Sequence, residues 1–257
     1  MAQTISVHSF RGGTGKSNTT ANLAALLAAG GRRVGVVDTD IQSPGIHILF
    51  GMPGESIGLA LNDYLWGKCE ISQAAHDVTA KLGADVKGKL YLIPSSIKAG
   101  EITRVLREGY DAQLLTRGFR GLIDALGLDA LLIDTHPGLG EETLLSMVIS
   151  HTLAIVLRPD QQDYEGTGVT VQVARKLKVP NMVLIVNKVP SVFDSAAVKA
   201  QVEKAYGCPV IAVLPHSDEL MALASGGIFS LRYPDHPVTA LYRQIADGLN
   251  VPPASGH

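Results

Sequence analysis

Phe10-Arg11-Gly12-Gly13-Thr14-Gly15-Lys16-Ser17 is the stretch from which the rest of the chain can be read. It lies between an apolar run, Ile5 to Phe10, and a Leu/Ala-rich run at helical spacing, Asn22 to Ala29. Strand, glycine turn and helix follow in the order that lets a loop aim its N–H groups, with a helix N-terminus, at an anion. The glycines let the main chain approach such an anion more closely than a Cβ would permit. Lys16 and Ser17 then supply an ammonium for phosphate oxygens and a hydroxyl for a magnesium ion. A glycine-rich turn can also do no more than join a strand to a helix. The strand and helix patterns on both sides argue for the phosphate-binding alternative.

Outward from this loop the same alternation returns. Gly30 and Gly31 stop the first helix, and Val34, Gly35, Val36 and Val37 run straight into Asp38. Short apolar runs recur at Leu90 to Ile93, Ala130 to Ile133, Leu153 to Leu157, Met182 to Val186 and Val210 to Leu214. They lack polar alternation, the mark of strands covered on both faces. Helical patterns stand between them at Glu141 to Ile149, Glu165 to Leu177 and Ala196 to Tyr206. The chain therefore predicts an α/β fold of three layers, a mostly parallel central sheet with helices on both faces. One domain over residues 1–250 and a flexible tail over 251–257 are expected. Ligands of such sheets bind beyond the carboxyl ends of the strands, so the polar residues there are the candidates for function.

Composition narrows the class. A chain 46% hydrophobic and 18% charged can bury a large core, which excludes disorder. A net charge of −2 gives no overall pull toward nucleic acid or an anionic membrane, so such contacts would need a local patch. Cys69 and Cys208 are far apart and form no C-x-x-C, which argues against zinc, an iron–sulfur cluster held within one chain or a redox dithiol. That usage fits a reducing, cytoplasmic setting. No basic-then-apolar leader and no run of ~18 apolar residues is present, so neither export nor a membrane span is expected.

The strict pattern G-x-x-x-x-G-K-[ST] is not met, because Phe10 stands at its first glycine. The loop resembles instead the deviant Walker A motif of the MinD/ParA ATPases, x-K-G-G-x-G-K-[ST], with Arg11 at the signature-lysine position. Asp38-Thr39-Asp40 and Asp134-Thr135-His136-Pro137-Gly138, each following a predicted strand, resemble that family's switch segments. The resemblance implies a P-loop NTPase fold of the SIMIBI type that binds ATP and Mg²⁺. Gly12, Gly13, Thr14, Gly15, Lys16, Ser17 and Asn18 would surround the phosphates, and Gly138 would sense the γ-phosphate. Asp40 would orient the attacking water beside Asp38, and Asp134 would hold Mg²⁺ through its water shell, with Ser17 and Asp38 completing the metal set. An acid after a strand can instead be a helix N-cap or a turn residue.

In this family the signature lysine reaches across a dimer interface to the partner's nucleotide. Arg11 keeps the charge and adds a planar fork, but it is longer, so the contact across the dimer either persists with altered geometry or is lost. Asn187-Lys188-Val189-Pro190 has no acid where an N-K-x-D guanine site needs one. The resemblance assigns Asn187 to adenine contact, and Pro215 to Asp218 to the segment that closes over the base.

The resemblance also implies a use: an ATP-dependent homodimer, slow until a protein partner stimulates it, that positions or partitions a cargo. Arg104, Arg107, Arg117, Arg120, Arg175, Lys176 and Lys178 could form a patch for nonspecific DNA or simply solvated helix faces. Leu241, Ile245 and Leu249 read as a core-facing stripe, and Pro252 and Pro253 forbid a helical membrane anchor after it. Asp134 to Glu141 also resembles the D-x-P-P-G-T-G-D element of Mrp-type cluster carriers, which makes metallocentre or cluster delivery an alternative. A regulatory ATP-binding module with little turnover is another. Tyr64, Trp66 and Cys69, within the poorly legible span 51–125, read as core or partner-surface residues.

Overall fold

A computed structural model describes residues 2–83, 86–111 and 113–253. Eight strands form one sheet: β1 Gln3–His8, β2 Arg33–Asp38, β3 His76–Asp77, β4 Lys89–Ile93, β5 Ala130–Asp134, β6 Thr152–Leu157, β7 Asn181–Val189 and β8 Val210–Pro215. Their order is β3-β4-β2-β5-β1-β6-β7-β8. Every pairing is parallel except that of the short edge strand β3 with β4. The register sets Asp38 directly opposite Asp134, so the two acids end neighbouring strands at one level.

The unbroken apolar runs have a direct cause: both faces of the sheet are covered. Val34 and Val36 of β2 and Leu132 of β5 face a core built with the helix α1 (Lys16–Ala29) and the C-terminal helix Pro237–Gly248. Val37, Leu131 and Ile133 face the other way, toward Leu115, Phe119 and Leu122 of the helix Gln113–Leu126. Alternate residues thus enter opposite cores, and each must be apolar. Further along the sheet, Leu153, Ile155, Leu184 and Val186 pack against the helices Gln161–Lys176 and Ser195–Tyr206.

Two expected boundaries move at the phosphate loop. The strand read as running to Phe10 ends at His8, because Ser9 leaves the ladder: its Oγ donates to Arg11 O at 2.8 Å and its carbonyl accepts Gly138 N–H at 3.1 Å. The helix expected from Asn22 begins at Lys16 with Gly15 at its N-cap, so the loop is shorter than the apolar pattern suggests. Phe10 is accommodated by Gly166, where an added Cβ would overlap the Phe10 ring.

Tyr64 and Trp66 pack beside the second core, Tyr64 donating its hydroxyl to Leu114 O at 2.9 Å and the Trp66 ring lying beneath the Arg104 guanidinium at 3.8 Å. Residues 254–257 of the expected tail lie outside the described residues. Its first residues are attached to the body: Val251 is buried and Arg32 Nε donates to Pro252 O at 3.1 Å. Among the described residues, no helix is long and apolar enough to cross a membrane.

Candidate functional site

The glycine loop emerges from β1 at the sheet's centre and enters α1. Gly13 and Gly15 take positive φ values of 78° and 95°, which a side chain rarely tolerates. Two residues at the end of β7 fix the loop from outside. Asn187 Nδ2 donates to Thr14 O and Lys188 Nζ to Gly13 O, both at 2.8 Å. In a trans peptide the next N–H points opposite its carbonyl, so tying back these two carbonyls turns the N–H groups of Thr14 and Gly15 inward. Neither N–H has a partner among the described residues, and the N-cap of α1 carries no side-chain hydrogen bond. The result is a nest of unsatisfied donors at a helix N-terminus, an anion site by construction. It faces a cavity of about 450 Å³ lined by Gly12 to Asn18, with Asp40, Ser43, His136 and Lys188 at its rim.

Beneath the loop the charges are already paired. Lys16 is buried, and its Nζ lies 2.9 Å from Asp134 Oδ1; Thr20 Oγ1 donates to the same oxygen at 3.0 Å. Asp38 is wholly buried, with Oδ1 accepting Asp40 N–H at 3.0 Å and Oδ2 accepting Gly45 N–H at 3.3 Å. Burial, and then the neighbouring Asp134 carboxylate, push the Asp38 carboxyl well above the usual range. Asp40 lies higher, in the cavity wall, its Oδ1 accepting Ser43 N–H at 3.1 Å and 2.7 Å from His136 Nδ1. His8 is fully buried at the end of β1; burial, with Lys16 and His136 near, lowers it to about 3.

The expected residues thus fall into three groups. Gly12 to Asn18 and Asp40 line the cavity, Asp38 and Asp134 lie beneath it, and Gly138, with φ 86°, is tied to Ser9 at its edge. Arg11 does not line the cavity and pairs with Asp160 at 3.6 Å and Asp163 at 3.7 Å, next to Arg158. Pro215 and Asp218 line a second cavity of about 640 Å³ that shares Lys188 with the first. Asn187 does not line it, being buried beneath Gly15, where an added Cβ would overlap its amide. Sequence reasoning assigned no role to Lys188, Thr20 or His136. Lys188, a non-glycine residue at φ 58°, carries no local sequence signal for that backbone.

The donor set fits magnesium brought in with a polyphosphate. Among the described residues no group of three or more His, Cys, Asp or Glu forms a protein-only cage. Mg²⁺ ordinarily takes one or two protein ligands, with phosphate oxygens and waters completing its octahedron. Ser17 at the cavity wall, with the buried acids Asp38 and Asp134 beneath the loop, matches that economy.

A mostly parallel sheet with a glycine cradle between β1 and the first helix, and acids ending β5 and β2 beside it, defines a P-loop NTPase. Residues 1–250 match the ParA family, described as NUBPL iron-transfer P-loop NTPase, and the chain belongs to that family. An uncharacterized ATP-binding protein of Methanocaldococcus jannaschii is 30% identical over 250 residues, covering 97% of this chain and 88% of that one. An iron-sulfur cluster carrier protein of Saccharolobus solfataricus is 27% identical over 257 residues, covering 95% and 81%. Among solved structures, the septum site-determining protein MinD of Pyrococcus horikoshii with Mg-ADP superposes with a TM-score of 0.81 at 21% identity, covering 97% of this chain and 96% of that one. The MinD/ParA fold is thereby established for this chain.

Proposed function

We propose that this protein is a Mg·ATP-dependent ATPase whose ATP-bound form is a homodimer, so that nucleotide state sets where it resides. The observation that supports this most directly is the inward-facing nest of Thr14 and Gly15 N–H groups, with Lys16 and Ser17 at its inner end. Lys16, now paired with Asp134, would turn to the β- and γ-phosphates, and Asp134 would be left to help hold Mg²⁺. Ser17 would hold Mg²⁺, which supplies charge neutralisation on the transferring phosphoryl group. Asp40 orients the attacking water. Pro215 and Asp218 contribute to the wall against which the base lies. Turnover is slow until a protein partner completes the site, and the cargo is positioned or partitioned.

Solution mass with ADP, with ATP and for Asp40→Ala with ATP tests this reading. ATP doubles the mass, most persistently in the variant. An unchanged mass in all three overturns the dimer switch, and binding of ATP without turnover leaves a regulatory module.

Cluster delivery is the second reading, favoured by the family description and by the names of several relatives. Cys69 packs beside one core cluster and Cys208 is buried in another, so a single chain offers no thiolate pair. Iron and acid-labile sulfide at fixed stoichiometry after anaerobic purification would support it, and their absence from an active ATPase would remove it. Direct membrane anchoring is not part of either reading. For DNA, Arg104 is occupied by Glu108 at 3.0 Å and Arg117 by Asp111 at 3.4 Å, while Arg175 donates to Tyr206 O. A steep fall of duplex binding with salt would restore that surface.

A further inference from the structure

His136 stands where the resembled D-x-P-P-G element carries its first proline. Proline has no side-chain donor. Here the imidazole lines the phosphate cavity, and its Nδ1 lies 2.7 Å from Asp40 Oδ1. The same oxygen accepts Ser43 N–H at 3.1 Å. Asp40 Oδ2 has no hydrogen-bond partner among the described residues, although the Asp40 side chain is only 13% exposed. A carboxylate oxygen held by two donors from different segments resists rotation of the carboxylate, because turning it strains both bonds. One oxygen is therefore held and the other is presented as an acceptor.

The histidine is itself held on both sides. Its carbonyl accepts Thr143 Oγ1 at 3.3 Å from the first turn of the helix Glu141–Ile149, and two residues on Gly138 N–H donates to Ser9 O at 3.1 Å. Through His136 the segment after β5 is thus bonded to the segment after β2. Ser43 N–H anchors Asp40 within its own segment, and His136 is its link to the other one.

We propose that His136 is a positioning residue for Asp40. Its Nδ1–H donates to Asp40 Oδ1, fixes the carboxylate plane and leaves Oδ2 as the acceptor for the attacking water. This rests on the ATPase reading above and adds to it a residue with no counterpart in the resembled element.

Two measurements on the full chain test it. Imidazole nitrogen resonances in ¹⁵N-labelled protein read the contact without nucleotide. The Nδ1 signal of His136, identified by its loss in His136→Asn, is expected to shift in Asp40→Asn, and an unmoved signal overturns the proposal. Steady-state ATPase kinetics read the role. His136→Ala is expected to lower kcat about 10- to 100-fold, the scale set by a misplaced reacting group, with KM for Mg·ATP within about twofold. His136→Asn, which can place an amide N–H where Nδ1–H was, restores most of kcat.

An unchanged kcat in His136→Ala, a change confined to KM, or an Asn variant as impaired as Ala each overturns the positioning role while the ATPase reading stands. A wild-type protein that binds Mg·ATP but shows no turnover overturns the ATPase reading and the role with it. These failures are told apart by the wild-type assay alone.

Discussion

Lys16 Nζ and Asp134 Oδ1 are 2.9 Å apart and both buried, so the cation of the phosphate loop is held by the acid of the neighbouring strand. On the proposed ATPase reading, a triphosphate entering the cradle competes with that carboxylate for the ammonium. Removing either partner therefore has opposite effects on binding. Lys16→Ala is expected to weaken ATP about 10- to 100-fold, the scale of a charge-assisted hydrogen bond. Asp134→Asn is expected to bind ATP in chelator at least as tightly as wild type, because Lys16 no longer leaves an ion pair. It loses the gain that Mg²⁺ gives to the wild type. Calorimetric titrations with and without magnesium separate these outcomes; equal weakening by both substitutions would show that the pair does not gate binding.

The glycines, lysine and serine of the cradle were legible because they are contiguous, and the strands because both faces of the sheet are buried. What was not legible comes from distance along the chain. Lys188 and Asn187 shape the loop from 175 and 173 residues away, and nothing local announces it. Asn187, expected as a base contact, is buried and donates to Thr14 O, a support that its local sequence does not announce. Strand β3, two residues long at the sheet edge, is too short to show a period. Arg11 shows the limit of motif matching. Its position follows from the resemblance, but its partners Asp160 and Asp163 depend on where the helix Gln161–Lys176 begins.

Gly15 joins the loop's conformation to that support. It sits at φ 95°, and an added Cβ would overlap the Asn187 amide. Gly15→Ala is expected to cost about 1–2 kcal/mol from the left-handed backbone alone, with a further loss as Asn187 is displaced from Thr14. Gly12→Ala is the control, since a Cβ there meets nothing within 4 Å. Urea unfolding should show a lowered midpoint for Gly15→Ala and a near-native one for Gly12→Ala. Equal midpoints would mean that Asn187 adjusts without cost.

Arg11 is a surface cation with local partners, and Asp160 and Asp163 keep Arg158 when it is removed. Arg11→Ala is therefore expected to change stability by less than about 1 kcal/mol, because Arg11 is partly exposed, its contacts are long at 3.6 and 3.7 Å, and buried Asp163 keeps its bond to Arg158. If Arg11 reaches a second subunit's nucleotide, the same substitution abolishes the ATP-dependent rise in mass while ATP binding to the monomer persists. Thermal melts and light scattering on the same samples read the two effects. A dimer that forms normally without Arg11 would confine the residue to its pairs on Asp160 and Asp163.

His8 links the site to pH through stability. Its Nδ1 lies 2.8 Å from Thr135 Oγ1, whose hydroxyl donates to Val7 O at 3.1 Å, so the imidazole is the donor and its buried Nε2 carries no proton. Burial lowers its pKa to about 3 in the fold, against 6.5 for the free side chain. Between those values the unfolded chain binds a proton that the folded chain does not, so this contribution to stability is complete above pH 6.5 and is lost as pH falls. From pH 7 to pH 5 the loss is about 2 kcal/mol. His8→Asn keeps a donor toward Thr135 and removes the titration. Urea unfolding of both proteins at the two pH values should show the wild type losing about 2 kcal/mol more than the variant on acidification. Parallel losses would place the acid sensitivity elsewhere and would mean that His8 is not held neutral by the fold.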